Sequence, residues 1–365
     1  MMRLTIHRAR EVHARAGRAA LCLCGGGITG ALFEVGVLAG LEDVLSRNFA
    51  SEFDIYVGAS AGASIASIVA QGFTATRLFE VLRDPGDALC PFRRENVYQA
   101  RWVAWLRAAA RLALEAVRAG VPGRLRKALG ERTAELRSLF PHGLFSTDRY
   151  QHYLREFFAR ENLSNRFGAL ARELYIVAND VDSALRVVFG EGELRDVAIA
   201  TAVAASSAIP LFFEPVHIEG RDYFDGAIGT APVDVAIAHG ADRVIVVNPV
   251  VPVRPGKLRG RKVRHLGPMA VVDQARRIST EESIDLGIKR QLAQHPQLEV
   301  LLIEPGESDA QALGGNPMSL DAAAAILDST RSSMRAELWK STEARGFVDL
   351  LAGFTGPENR ERIAR

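Results

Sequence analysis

The sequence predicts an α/β fold of the three-layer α/β/α kind, in which a mostly parallel central sheet lies between helical layers and carries a helical insertion. Three observations lead there. The chain opens with two consecutive strand–turn–helix patterns, and several later apolar runs are short and unalternating, as strands buried on both faces are. Residues 93–137 differ in character, holding eleven Arg or Lys against four Glu and no convincing strand. At 365 residues, with 48% hydrophobic and 24% charged residues, the chain suffices for one large domain with an insertion or for two small domains, and its balance excludes a disordered or fibrous protein.

Residues 1–18 read as a polar, Arg-rich leader, mobile at its start. They lack the apolar core of about 7–15 residues that marks a signal peptide. No run of about 18 apolar residues occurs anywhere, so no transmembrane helix is expected. The apolar run Ala19–Cys24 ends in Gly25-Gly26-Gly27, after which Leu32, Val35, Leu38 and Leu41 recur at helical spacing. Phe53–Val57 is a second short strand, ending in Gly58, and the small residues from Ala61 to Ala70 suit a closely packed helix.

Within the insertion, Trp102, Trp105, Leu106, Ala109, Leu112, Ala113, Ala116 and Val117 recur at helical spacing, while Arg107, Arg111 and Arg118 gather on another face. Such a helix suits peripheral contact with an anionic membrane, its Trp residues at the interface. Packing of the same stripe on the catalytic domain is an equal alternative. Beyond it, Leu174–Ala178, Arg186–Phe189, Phe213–Ile218, Val244–Val247 and Val300–Ile303 read as strands separated by helical stretches. Gly and Pro punctuate residues 252–268 and 304–317 as long loops; Lys257, Arg259, Arg261, Lys262 and Arg264 in the first read as a solvated basic loop. Leu320–Trp339 reads as a terminal helix and residues 353–365 as a disordered tail. The expected division is a leader over 1–18, a catalytic domain over 19–305 with an insertion or lid over 93–145, and a C-terminal loop, helix and tail over 306–365.

The formal net charge of +2 is too small to argue for nucleic acid, and none is expected as a partner. The bias of 40 Arg over 5 Lys fits genomic base composition as readily as a preference for phosphate. Cys22 and Cys24 fall on one face of a strand, and no second Cys pair or spaced His pair completes a zinc site, so buried small hydrophobes in a reducing cytosol are expected rather than a metal or a disulfide. The expected location is cytoplasmic.

Gly58-Ala59-Ser60-Ala61-Gly62 is a G-x-S-x-G sequence where a strand gives way to a helix. The turn strains the Ser backbone and lets neighbouring chain pass close by, which glycines two residues to either side permit. It also sets the hydroxyl at a helix N-terminus, where the dipole favours negative charge. Alone, a glycine-rich turn with a capping Ser explains the motif equally well. Gly25-Gly26-Gly27-Ile28-Thr29-Gly30 fits G-x-G-x-x-G, but a dinucleotide site requires an acidic residue at the end of the second strand, where Gly58 and the Ser60 turn stand instead; Asp54 is at that strand's start. An anion site of backbone N–H groups from Gly25, Gly26 and Gly27, aimed at a tetrahedral oxyanion, is the remaining functional reading, beside a purely structural turn. Among candidate bases, His217, His239, His265 and His295 occupy no distinctive strand-end turn. Asp225, in Tyr223-Phe224-Asp225-Gly226-Ala227, follows a strand-like stretch, and Gly226 allows a tight turn that presents its carboxylate; by itself, a plain turn Asp explains it better.

Taken in order, G-G-G-x-x-G at 25–30, G-A-S-A-G at 58–62 and D-G-A at 225–227 resemble the patatin-like phospholipase family. Ala204-Ala205-Ser206-Ser207-Ala208-Ile209-Pro210 and the stretch into Asp225 resemble it as well, as do Pro232, Val233 and Ala238–Asp242; the likeness covers about residues 19–250. It implies a patatin-like fold and a lipid acyl hydrolase working through a Ser60–Asp225 dyad, with Gly25, Gly26 and Gly27 as oxyanion hole and Gly30, Gly58, Gly62, Gly226 and Ala227 in support. The implied substrate is a lipid or phospholipid ester, with no metal or organic cofactor. Alternatives are a transacylase with the same dyad and a non-catalytic lipid-binding module. Asn179–Asp182 reads as a strand-end turn whose position resembles a family segment near the site.

Overall fold

The computed structural model describes residues 2–8, 17–84, 99–100, 110, 143–227, 232–254, 262–306 and 320–355. Its first strand, β1 (Arg3–Arg8), corrects the expectation of a mobile leader over 1–18. Leu4 and Ile6 alternate with Arg3, Thr5 and His7, and both apolar side chains pack on the core. The high Arg content masks this period-two pattern in the sequence. β2 (Arg18–Leu23), α1 (Gly27–Leu45), β3 (Ile55–Ala59) and α2 (Ala61–Val69) are the two opening strand–turn–helix units. α3 (Ala75–Arg83) follows, its N-terminus capped by the Thr74 hydroxyl accepting the Arg77 N–H at 3.1 Å.

β4 (Gln99–Ala100) and β5 (Gly143–Ser146) bracket the insertion. The amphipathic helix expected over 101–120 lies outside the described residues but for Ala110, as do Lys257, Arg259 and Arg261 of the long loop expected over 252–268, within which Val263–Leu266 form a short 3-10 helix. Next come α4 (Asp148–Arg160), β6 (Glu173–Asp180), β7 (Leu185–Phe189) and α5 (Ile199–Ser206). The single strand expected over Phe213–Ile218 is two, β8 (Leu211–Phe213) and β9 (Val216–Ile218). The break falls at Glu214-Pro215, where the imino nitrogen cannot donate to a ladder. β10 (Arg221–Asp225), α6 (Val233–Ala238), β11 (Ala241–Val247), α7 (Pro268–Gln294) and β12 (Glu299–Glu304) complete the sheet and its second helical layer. The C-terminal region carries two helices, not one: α8 (Leu320–Lys340) and α9 (Thr342–Thr355), whose Phe347, Val348 and Leu351 are buried in the main core.

β12, β11, β2, β3 and β6 run parallel through the sheet centre, and β1 closes one margin antiparallel to β12, with Arg3 and Glu304 paired at 2.5 Å. Helices cover both faces. Leu21, Leu23 and Tyr56 point into the larger core with α1, α2, α3, α5, α8 and α9, while Ala20, Cys22, Ile55 and Val57 point into a smaller core with α6 and α7. Cys22 and Cys24 share that second face as buried free thiols. β4, β5 and β8 form a separate small sheet. Among the described residues, no helix is long and apolar enough to cross a membrane.

The far side of the sheet positions the site. β3 pairs with Glu173–Val177 of β6, and β7 with Ile176–Asp180; because Ile176 and Val177 serve both, β3 and β7 occupy opposite edges of β6. β10 pairs antiparallel with Ala178–Asp180, whose other edge belongs to β7, so β10 lies on the β3 side. β3 and β10 therefore approach end to end along one edge of β6. Ala59 sits opposite Val177 and Asp225 opposite Ala178, consecutive residues of a single strand.

Candidate active site

Ser60 stands at the point where β3 turns into α2, with φ 54° and ψ −132°. A non-glycine residue held at positive φ stores about 1–3 kcal/mol and persists only where its surroundings over-determine it. Here three contacts do so. The Ser60 N–H donates to Ser206 Oγ at 2.8 Å, Ser206 Oγ in turn donates to the Val177 carbonyl at 2.6 Å, and the Ser60 carbonyl accepts the Ala63 N–H at 3.0 Å. The flanking glycines give the turn its room. A Cβ at Gly58 would meet the Ala63 Cα at 2.5 Å, and one at Gly62 the Leu23 carbonyl oxygen at 2.5 Å.

Asp225 ends β10 and meets the Ser60 turn head-on. Ser60 Oγ donates to Asp225 Oδ2 at 2.6 Å, and both residues are 2% exposed. The other carboxylate oxygen accepts the Ala227 N–H at 2.7 Å, so Gly226 and Ala227 curl the chain around the carboxylate. Gly226 is required because any Cβ would collide with the Val177 carbonyl. The Asp225 main chain is pinned as well, its N–H donating to the Ala208 carbonyl at 3.0 Å and its carbonyl accepting Asn179 Nδ2 at 2.7 Å. Burial pushes the Asp225 carboxyl above the ordinary aspartate range, opposed by the Ser60 and Ala227 hydrogen bonds and by the Arg276 charge.

The glycine run beside the turn divides its labour differently from the sequence expectation. Gly25, Gly26 and Gly27 all have positive φ, at 75°, 105° and 69°. The Gly25 N–H, expected as an oxyanion donor, instead donates to Glu34 Oε1 at 2.7 Å inside the protein. Its residue type is dictated by proximity, since a Cβ there would stand 2.7 Å from the Ser60 Cβ. Gly30 is similarly required by contact with the Gly25 carbonyl. Gly26 and Gly27 remain at the start of α1, where the first N–H groups have no intrahelical acceptor and the helix dipole favours an anion.

Three participants carry no sequence motif of their own for this role. Ser206 is fully buried and links the Ser60 turn to β6, while the Gly226 N–H donates to its carbonyl at 3.2 Å. Glu34 is fully buried in α1, and burial pushes its carboxyl well up against the lowering effect of the Gly25 and Cys24 N–H groups. Arg276 on α7 supplies the positive charge felt by Asp225. No histidine is hydrogen-bonded to Ser60 or Asp225 among the described residues. His217 bonds Asp222 at 2.8 Å, and His239 bonds Tyr175 at 3.0 Å and Glu191 at 2.9 Å. Asn179–Asp182 is a strand-end turn in which Asp180 Oδ1 accepts two N–H groups, with Asn179 reaching the Asp225 carbonyl.

A three-layer α/β protein with a buried hydroxyl on a carboxylate at a strand-to-helix turn has the architecture of an acyl hydrolase. The family model of patatin-like phospholipases matches residues 21–237, a span that includes both Ser60 and Asp225. The chain belongs to the patatin-like phospholipase family and is a hydrolase of carboxylic ester bonds, a lipid hydrolase at the level of the family. No curated protein matches it. Among solved structures it is similar to VipD from Legionella pneumophila, with 15% identity and a TM-score of 0.31 over 98% of this chain and 84% of that one. It is also similar to full-length ExoU from the type III secretion system of Pseudomonas aeruginosa, in complex with SpcU, with 15% identity and a TM-score of 0.32 over 93% of this chain and 67% of that one. Likenesses this distant bear on neither substrate nor mechanism.

Proposed function

We propose that this protein hydrolyses acyl esters of lipids through a Ser60–Asp225 dyad and an acyl-enzyme. The observation that carries the reading is the 2.6 Å hydrogen bond from Ser60 Oγ to Asp225 Oδ2 at a strained, buried turn. Asp225 accepts the hydroxyl proton as Oγ attacks the ester carbonyl carbon. The developing oxyanion is stabilised by the N–H groups of Gly26 and Gly27 and by the dipole of α1; one such donor is typically worth about 10²–10³ in rate. The leaving alcohol takes the proton from Asp225, leaving Ser60 acylated. Water then attacks the acyl-enzyme, giving its proton to Asp225, which passes it to Ser60 Oγ as the free acid leaves, so that the hydroxyl and the carboxylate are both restored.

An ordinary carboxylate is a weak base towards a hydroxyl. Burial of Asp225 offsets this by raising its proton affinity, and the short, fixed contact removes the need to orient the pair during reaction. No histidine is required by this scheme. Purified Ser60→Ala is expected to lose ester hydrolysis and labelling by a fluorophosphonate while retaining the wild-type circular dichroism spectrum; wild-type turnover in that variant would refute the assignment. Product analysis with an added alcohol acceptor separates hydrolysis from acyl transfer. Peripheral contact with an anionic membrane rests on the sequence pattern of residues 101–120, and absence of co-sedimentation with anionic vesicles at low salt would refute it.

A further inference from the structure

A cavity of about 400 Å³ lies between Ile209–Phe212, at the start of β8, and the N-terminal half of α7. Ile209, Leu211 and Phe212 form one wall, and Val272 and Ala275 the other. Single exposed apolar side chains need no explanation, but a group of them around a concavity marks a binding surface. Leu211 is 56% exposed, Phe212 36% and Val272 52%, and the apolar strip continues along α7 through Val271 and Ile278. The volume falls within the range of about 300–1,000 Å³ typical of small-molecule sites.

Neither Ser60 nor Asp225 lines this cavity, but two features place it near Asp225. Ile209 directly follows Ala208, whose carbonyl accepts the Asp225 N–H at 3.0 Å. Arg276, which lines the opposite wall, is near enough for its charge to act on the Asp225 carboxyl. The two charged lining residues pair with each other, Arg276 donating to Asp273 Oδ1 at 2.8 Å. Ser279 and Thr280 add hydroxyls to a lining whose surface is otherwise mainly apolar, and a hydrocarbon chain would cover apolar surface now in water.

Resting on the acyl-ester reading above, we infer that this cavity receives the acyl chain of the substrate and that its walls set the preferred chain length. Ala275→Trp, on the exposed side of α7, fills it without disturbing the core. With p-nitrophenyl butyrate, octanoate, dodecanoate and palmitate as substrates, the substitution should lower kcat/KM for the long esters relative to butyrate, by about fourfold for each methylene displaced. Phe212→Ala, which widens the cavity, should shift the preference towards palmitate. A ratio of palmitate to butyrate kcat/KM unchanged in both variants would overturn the inference. Calorimetric binding of dodecanoate to Ser60→Ala, with and without Ala275→Trp, decides the same question without turnover. Weaker binding in the double variant supports the cavity, and equal affinity refutes it. Failure of the wild type to hydrolyse any of the esters would instead refute the catalytic reading, and the binding arm would still decide the cavity.

Discussion

Ser206→Ala removes one oxygen atom and two buried hydrogen bonds, the acceptor of the Ser60 N–H at 2.8 Å and the donor to the Val177 carbonyl at 2.6 Å. Each orphaned group costs about 1–3 kcal/mol, so the fold should lose roughly 2–5 kcal/mol, read as a lower Tm. The larger consequence concerns Ser60 itself. Its positive φ stores about 1–3 kcal/mol, and the bond to Ser206 is one of the contacts that hold it there. Without that bond the turn relaxes, the Ser60 hydroxyl leaves Asp225, and the reactive arrangement becomes a minor one. A bias of about 1.4–2.8 kcal/mol against it lowers kcat roughly 10- to 100-fold. KM should change little, because Ser206 is fully buried behind the nucleophile and does not face substrate. The assay is kcat and KM on a p-nitrophenyl ester, well below the measured Tm of the variant, together with the rate of fluorophosphonate labelling. A reduced Tm with kcat within about twofold of wild type would refute the reasoning, since the bond would then serve the fold and not the nucleophile.

Because burial raises the Asp225 carboxyl above its ordinary value of 3.8, and because the base must be ionised, the acidic limb of the kcat/KM–pH profile should lie above that value; Arg276→Gln, which removes a lowering charge, should move the limb further up. Asp225→Asn should abolish turnover yet raise Tm at neutral pH. A carboxyl whose folded-state pKa is raised costs stability that builds from the unfolded value near 3.9 and is complete above the folded pKa, so the gain should be gone once pH falls below that unfolded value, as melting curves across pH will check. Glu34→Gln keeps an acceptor for the Gly25 N–H and removes a buried ionisable group whose folded pKa is likewise raised. Its Tm relative to wild type should therefore rise as pH climbs above the ordinary glutamate value of 4.5, and a difference independent of pH would contradict this.

Local sequence announces the turn at Ser60 because Gly58 answers to a contact only five residues on, with Ala63, although Gly62 answers to the end of β2, far off in the chain. It announces the end of β10 because Asp225 is followed by a residue whose Cβ would strike Val177. The role of the Gly25 N–H was not legible from the glycine spacing, which treats the three glycines alike, although a lone carboxylate, Glu34, in the apolar run Ala31–Leu41 is the signal that separates them. β1 was obscured by its Arg residues, and Ser206 by its setting among small residues that read equally well as helix packing. Nothing local could have shown that β3 and β10 meet end to end, because that depends on the registers both make with β6, a strand distant from each of them in the chain.

That end-to-end meeting explains how a carboxylate reaches the nucleophile without an intervening imidazole. In a sheet whose base arrives on a distant loop, a long side chain has to bridge the gap to the serine. Here the two residues follow strands that abut on the same edge of β6, opposite adjacent positions, and a short side chain suffices to close the distance to 2.6 Å. The same abutment excludes water from the pair and raises the carboxyl's proton affinity, while Arg276 restrains that rise enough to keep a charged form accessible. Lengthening the base therefore tests the geometry and not only the chemistry. Asp225→Glu preserves charge and burial but adds one methylene to a carboxylate held at both oxygens, by the Ser60 hydroxyl at 2.6 Å and by the Ala227 N–H at 2.7 Å. It should reduce kcat by roughly 100-fold, as a displacement of about 1 Å in a preorganised site does. Activity close to wild type would mean that the turn at Gly226 is far more compliant than its packing against Val177 implies.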